Sequence, residues 1–221
     1  MTRQFKVAWE DGGEVTAITE GSGDVGILLA HGAGTDQKHP SMAGLRSGLA
    51  AGGHTVMTFN YPYTERGAKR PDRQEKLLAC HRAVAELLAE RVDRLFLAGR
   101  SMGGRMATYL VSAGFPAAGL ILYAYPLHPA GKPEKLRIDQ FGDISVPMLF
   151  FQGTKDALSR MELFDKHIAP LPNADVELLE GAGHGYRGGG WDLDSITTRY
   201  VARSLPWIEA VSSGTRGRSR P

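Results

Sequence analysis

The chain predicts an α/β fold: a mostly parallel central sheet, helices on both faces and no large cap domain. Two observations carry that prediction. Short continuous apolar runs such as "VGILLA" and "RLFLAG" lack the in-out alternation of a half-exposed sheet, which is how strands covered on both faces read. Stretches with helical spacing stand between such runs, so strand and helix alternate along most of the chain, the pattern of parallel βαβ units. The length of 221 residues suits one domain. The proportions of hydrophobic and charged residues, 42% and 23%, are those of an ordinary globular chain.

The elements follow in order. "FKVAW" and "EVTAITEG" alternate or are β-branched, and the "EDGG" between them signals a hairpin turn. "VGILLAHGAG" is a buried strand running into a glycine loop. "SMAGLRSGLAAGG" predicts a helix that starts near Pro40 and stops at Gly52-Gly53. "HTVMTFNYP" is the next strand. "PDRQEKLLACHRAVAELLAE" is the clearest helix: Leu77, His81, Val84 and Leu88 share a face, and Pro71 suits the first turn. Strand "RLFLAG", helix "MGGRMATYLVSAG", strands "AGLILYAYP" and "VPMLFFQG", helix "RMELFDKHIAPL", strand "DVELLEGAG" and a helix near "SITTRYVARSLPWIEAV" complete the alternation. The stretch between "AYPL" and "SVPM" has little periodicity and leaves room for a small lid or loop.

Composition narrows the function classes. No stretch reaches the ~20 apolar residues of a membrane span, and the start, "MTRQFKVAWEDGGE", lacks the apolar core of a signal peptide. Cys80 is the single cysteine, which rules out an internal disulfide and suits a cytoplasmic location. The net charge is +2, but Arg216, Arg218 and Arg220 lie in the last six residues, and without them the body carries −1. The basic balance belongs to the tail and does not point to nucleic acid. The domain is expected to span 1–213, with 214–221 a disordered basic tail. No Cys/His cluster has zinc spacing and no phosphate-loop pattern occurs, so neither metal nor cofactor is expected.

Gly99-Arg100-Ser101-Met102-Gly103 fits G-x-S-x-G between a predicted strand and a predicted helix. Alone, the pentapeptide is equally well read as a glycine-rich turn with a capping serine. A serine hydroxyl is a weak nucleophile that needs a base, and the base needs an orienting carboxylate. Asp156 in "FFQGTKDAL" and His184 in "LLEGAGHGY" each follow the end of a late strand. In a parallel sheet these ends lie along one edge, where residues distant in sequence meet. His184 alone of the seven histidines stands in such a loop, and Asp143 is a weaker acid candidate because it precedes its strand. Acyl transfer also requires two N–H donors for an oxyanion. The amide of Met102 is one candidate. Ala33, in "LLAHGAG", is the other, with Gly34 an alternative and His31 and Gly32 shaping the loop.

"LLAHGAG", "GRSMGG", "FQGTKDAL" and "GAGHGY" stand in the order and spacing of the α/β-hydrolase fold. The chain resembles that superfamily over roughly residues 5 to 210, in the small, cap-poor branch similar to dienelactone hydrolases and testis-expressed-protein-30-like proteins. The resemblance implies Ser101 as nucleophile, His184 as general base and then acid, and Asp156 as the orienting acid. Dienelactone hydrolases proper use a cysteine nucleophile where this chain has serine, so their lactone substrates do not carry over. The partner implied is a small-molecule acyl substrate, with the chain a monomer or a homodimer. The reading is a serine hydrolase of esterase or thioesterase type. The alternatives are an amide or peptide hydrolase, or a non-catalytic binding or scaffold protein of the same fold.

Several further residues are substrate-binding candidates. Tyr61, Tyr63, Arg66 and Arg70 lie in "NYPYTERGAKRP", with a solvated loop the alternative reading. Tyr125 ends a strand near the site. Tyr186 and Trp191 flank "RGGG" after His184, and Gly188 to Gly190 suggest a mobile gate. Arg100 is a candidate to fix the serine turn rather than to touch substrate.

Overall fold

The computed structural model describes residues 1–9, 13–185 and 187–215. The turn expected within "EDGG", Tyr186 and most of the expected basic tail lie outside the described residues. An antiparallel hairpin of β1 (Arg3–Ala8) and β2 (Glu14–Glu20) precedes β3 (Val25–Ala30), α1 (Pro40–Ala51) and β4 (Thr55–Phe59). A short α2 (Pro62–Glu65) and the long α3 (Gln74–Ala89) lead to β5 (Arg94–Arg100), α4 (Met102–Ser112) and β6 (Gly119–Tyr123). The chain continues through β7 (Met148–Gly153), α5 (Met161–His167), β8 (Ala174–Leu179) and α6 (Leu193–Ser212). The strands form one sheet in the order β1-β2-β4-β3-β5-β6-β7-β8, parallel from β4 to β8.

Strand residues feed two cores, one on each face. Ile27 and Leu29 face one and Leu28 and Ala30 the other, and Phe96 and Leu97 divide in the same way. That division is why these strands read as continuous apolar runs. Leu45 and Leu49 of α1 and Tyr200 and Trp207 of α6 close the first face, while α3 and α4 close the second. Trp207 Nε1 keeps its donor satisfied on Asp175 Oδ2 at 2.6 Å.

Chain order reverses at β3: α1 carries the chain out to β4 on one face, and α3 carries it back to β5 on the other. The loops after β3 and β5 therefore part at the switch point, where open parallel sheets form their ligand crevice. The 124–147 stretch holds one 3₁₀ turn, Asp139–Asp143, and no cap domain.

Two local expectations need correction. The long helix begins at Gln74 rather than at Pro71. Asp72 is drawn into an ion pair with Arg66 at 2.6 Å, and Arg73 has the extended geometry of a cap, φ −60° and ψ 154°. The loop after β4 is partly helical, with Pro62 at the first position of α2, where its missing N–H costs nothing.

Candidate active site

Ser101 is the residue between β5 and α4, and its backbone is held at φ 51° and ψ −113°. A non-glycine residue there is strained, and the surroundings must hold it. The Ser101 N–H donates to the Tyr123 carbonyl at 2.9 Å. The flanking glycines are required by close backbone approach. A Cβ on Gly99 would lie 2.4 Å from the Gly103 carbonyl carbon, and one on Gly103 would lie 2.3 Å from the Ala30 oxygen. The motif thus packs the serine turn against the end of β3.

The Ser101 hydroxyl lies 2.9 Å from His184 Nε2, and His184 Nδ1 lies 2.8 Å from Asp156 Oδ2. Asp156 follows β7 and His184 follows β8, so both loops emerge on the same sheet edge as Ser101. The Asp156 side chain is fully buried, while the imidazole keeps 22% exposure. Gln152 Nε2 donates to Asp156 Oδ2 at 3.1 Å, and the Leu158 N–H donates to Oδ1 at 2.8 Å. These donors hold the carboxylate with one oxygen aimed at the imidazole. The His184 loop is itself anchored: Arg100 Nη2 donates to the His184 carbonyl, and the Gly183 N–H donates to the Arg187 carbonyl at 2.8 Å. Arg100 thus ties the serine turn to the histidine loop.

Met102 is the first residue of α4, so its N–H is one of the donors a helix leaves free at its start. Ala33 lies in the exposed loop after β3 and lines the same cleft as Ser101 and Met102. Gly34 has φ +74°, which lets that loop turn. Behind it, His31 is fully buried, its Nδ1 2.9 Å from the Gly32 carbonyl and its Nε2 accepting from the Tyr61 N–H at 3.2 Å. Burial pulls its pKa down to about 4, so the ring is a neutral strut with the proton on Nδ1. The cleft has a volume of about 240 Å³, and Leu77, Arg105 and Arg137 also line it.

Other expected contacts are corrected. Tyr61, Tyr63 and Tyr125 are at most 1% exposed and belong to the core rather than to a substrate surface. The Tyr61 hydroxyl bonds His81 Nδ1 at 3.0 Å, and the Tyr125 hydroxyl donates to the Arg137 carbonyl at 2.8 Å. Both rings bury their apolar body and keep a partner for the oxygen. Trp191 packs on the core with Nε1 donating to the Glu180 carbonyl at 2.9 Å, so it closes the histidine loop instead of walling the cleft. At the expected gate, Gly188 to Gly190 are exposed, and the backbones of the first two lie close to Glu180 and Gly181: a Cβ on Gly189 would lie 2.3 Å from the Glu180 oxygen. Arg66 pairs with Asp72, Arg70 is exposed, and Asp143 is exposed in the 3₁₀ turn. Gln152, Arg105 and Arg137 escaped the sequence reading. Arg105 stands four residues after Ser101, a spacing that places both on one helix face. Among the described residues, no group of three or more His, Cys, Asp or Glu side chains is placed to hold a metal ion, and no helix is long and apolar enough to cross a membrane.

A family model described as an alpha/beta hydrolase domain matches residues 23–201. Solved structures with the same fold include a serine hydrolase without a lid from Xanthomonas campestris, 22% identical, covering 93% of this chain and 95% of that one at a TM-score of 0.71. An alpha-beta serine hydrolase homologue from Coxiella burnetii is 18% identical, with 91% and 96% covered and a TM-score of 0.74. An esterase from Pyrococcus furiosus is 15% identical, with 95% and 92% covered and a TM-score of 0.77.

Proposed function

The chain belongs to the alpha/beta hydrolase domain family, and from that premise we propose that it is a serine hydrolase cleaving an ester or thioester through an acyl-enzyme. The observation that carries the reading is the unbroken contact from Ser101 Oγ through His184 to the buried Asp156, at 2.9 and 2.8 Å. In the first step Ser101 Oγ bonds to the substrate carbonyl carbon while its proton passes to His184 Nε2. Asp156 accepts from Nδ1–H and stabilises the imidazolium. The Met102 and Ala33 amides take the oxyanion charge. Collapse breaks the carbon–oxygen or carbon–sulfur bond, and the imidazolium gives its proton to the leaving alcohol or thiol. Water then attacks the acyl-enzyme with His184 as base, releasing the acid and restoring the serine.

A fluorophosphonate probe tests the nucleophile. Labelling of the native protein that disappears in Ser101→Ala supports the reading, and a folded native protein that never labels favours a binding role. A panel of acyl esters of increasing length, with matched thioesters and anilides, assigns the bond cleaved. Turnover of anilides alone would move the protein to the amide hydrolases.

A further inference from the structure

The cleft beside Ser101 carries a charge imbalance that acyl transfer itself does not use. Arg105, one turn after Ser101 on α4, and Arg137, from the loop before the 3₁₀ turn, both line it. Among the described residues no ion pair engages either guanidinium, and Arg105 Nε is buried without a hydrogen-bond partner. Arg137 Nη1 reaches only a long contact of 3.4 Å with the Pro126 carbonyl. Among the described residues one carboxylate lines the cleft, that of Asp72, and Arg66 engages its Oδ1 at 2.6 Å, while Oδ2 is buried without a partner. The cleft is thus left with two cations outside any ion pair, its one carboxylate being engaged by Arg66.

Arg137 is also held in place through its backbone. The Arg137 N–H donates to the Leu127 carbonyl at 2.9 Å, and its carbonyl accepts from the Tyr125 hydroxyl at 2.8 Å. Gln140 Nε2 in turn donates to the Tyr125 oxygen at 2.7 Å. Desolvation first, and then the charge of Arg105, make Arg137 harder to keep protonated, which is the cost of bringing two cations together. An anion in the cleft relieves that cost and offers a partner to the Arg105 guanidinium, whose Nε is buried without one.

We infer that the cleft selects an ester or thioester whose acyl chain ends in a carboxylate, with Arg105 and Arg137 as the residues that set this specificity. The inference rests on the serine hydrolase reading. The acyl side is assigned because the cleft is lined by Ala33, Ser101 and Met102 and not by His184, whose proton goes to the leaving group. One helical turn separates Ser101 from Arg105, about 6 Å along the axis. A carboxylate roughly that far from the scissile carbonyl, across two or three methylenes, spans the gap. The substrate class is therefore the monoester or monothioester of a short dicarboxylic acid, and the products are the free diacid and an alcohol or thiol.

The test compares p-nitrophenyl monoesters of succinic and glutaric acid with neutral p-nitrophenyl butyrate and valerate. The expected result is a kcat/KM roughly 10–100-fold higher for the charged members. The ratio should shrink as salt rises from about 0.05 M to about 0.5 M, and fall toward one in Arg105→Gln and Arg137→Gln. A Ser101-dependent enzyme that treats charged and neutral esters alike overturns the inference and leaves the hydrolase reading standing. A preference for a carboxylate on the alcohol side overturns it too. Calorimetric titration of Ser101→Ala with monomethyl glutarate and methyl valerate gives a readout independent of turnover. Binding of the charged ester alone, lost when Arg105→Gln is added, supports the inference. Absence of binding, or binding indifferent to Arg105, overturns it even if no ester is ever turned over.

Discussion

Ser101, His184 and Asp156 stand 83 and 28 residues apart in pairs, yet their side chains form one contact series. Asp156→Asn should drop kcat by roughly 10⁴-fold while leaving substrate affinity near native, because the amide favours the wrong imidazole tautomer. Ser101→Ala and His184→Ala should each cost roughly 10⁴–10⁶-fold, by analogy with other triads. Steady-state kinetics on a substrate from the panel checks all three. Two other histidines should contribute to acid stability. His31 and His81 are buried, and desolvation lowers their pKa from 6.5 to about 4 and about 3. The unfolded chain takes up protons below pH 6.5 that the folded one refuses, so stability is full above 6.5 and is lost as pH falls toward 4. Each residue should remove about 2 kcal/mol by pH 5, seen as a lower urea midpoint at pH 5 than at pH 7. A level midpoint would mean that these rings accept protons in the folded state. The meeting of Ser101, Asp156 and His184 was legible in sequence because all three follow strand ends along one sheet edge. Tyr61, Tyr63 and Tyr125 were not, since which end of an amphipathic ring meets water is decided by packing.

At the scale of elements, continuous apolar runs and helical spacing made the strands and the long helices readable. Segments shorter than a repeat left no period to read, so α2 and the 3₁₀ turn escaped, and the start of α3 was displaced by the Arg66–Asp72 pair. The glycines of the serine turn were readable as a motif, but the structure supplies their reason. Gly103→Ala should destabilise by about 3 kcal/mol, as overpacking against a backbone oxygen does, measured as a drop in urea midpoint. Gly34→Ala meets open space and pays only for its positive φ, so it should cost less. Arg100→Met should loosen the histidine loop from the serine turn. The expected outcome is a fall in kcat of roughly 10–100-fold with KM little changed, and equal loss in both would assign Arg100 to substrate instead.

Across the whole molecule, one sheet runs from Arg3 to Leu179 and α6 closes back over it to Ser212. Neighbouring strand residues enter opposite cores, so neither face can empty without disturbing the other. Phe96→Ala and Leu97→Ala should each cost about 2–5 kcal/mol and shift the same transition. Far-ultraviolet and near-ultraviolet circular dichroism should lose signal together in both variants; separate midpoints would reveal two independent units. The stretch 124–147 connects β6 and β7 without forming a cap domain, and lends Pro126 and Arg137 to the wall of the cleft beside Ser101. With no cap domain for an oil–water boundary to prise open, lipid droplets and detergent micelles should give no jump in rate. The His184 imidazole keeps 22% exposure, so on the proposed mechanism water should reach it, and release of free acid should outrun transfer of the acyl group to another alcohol.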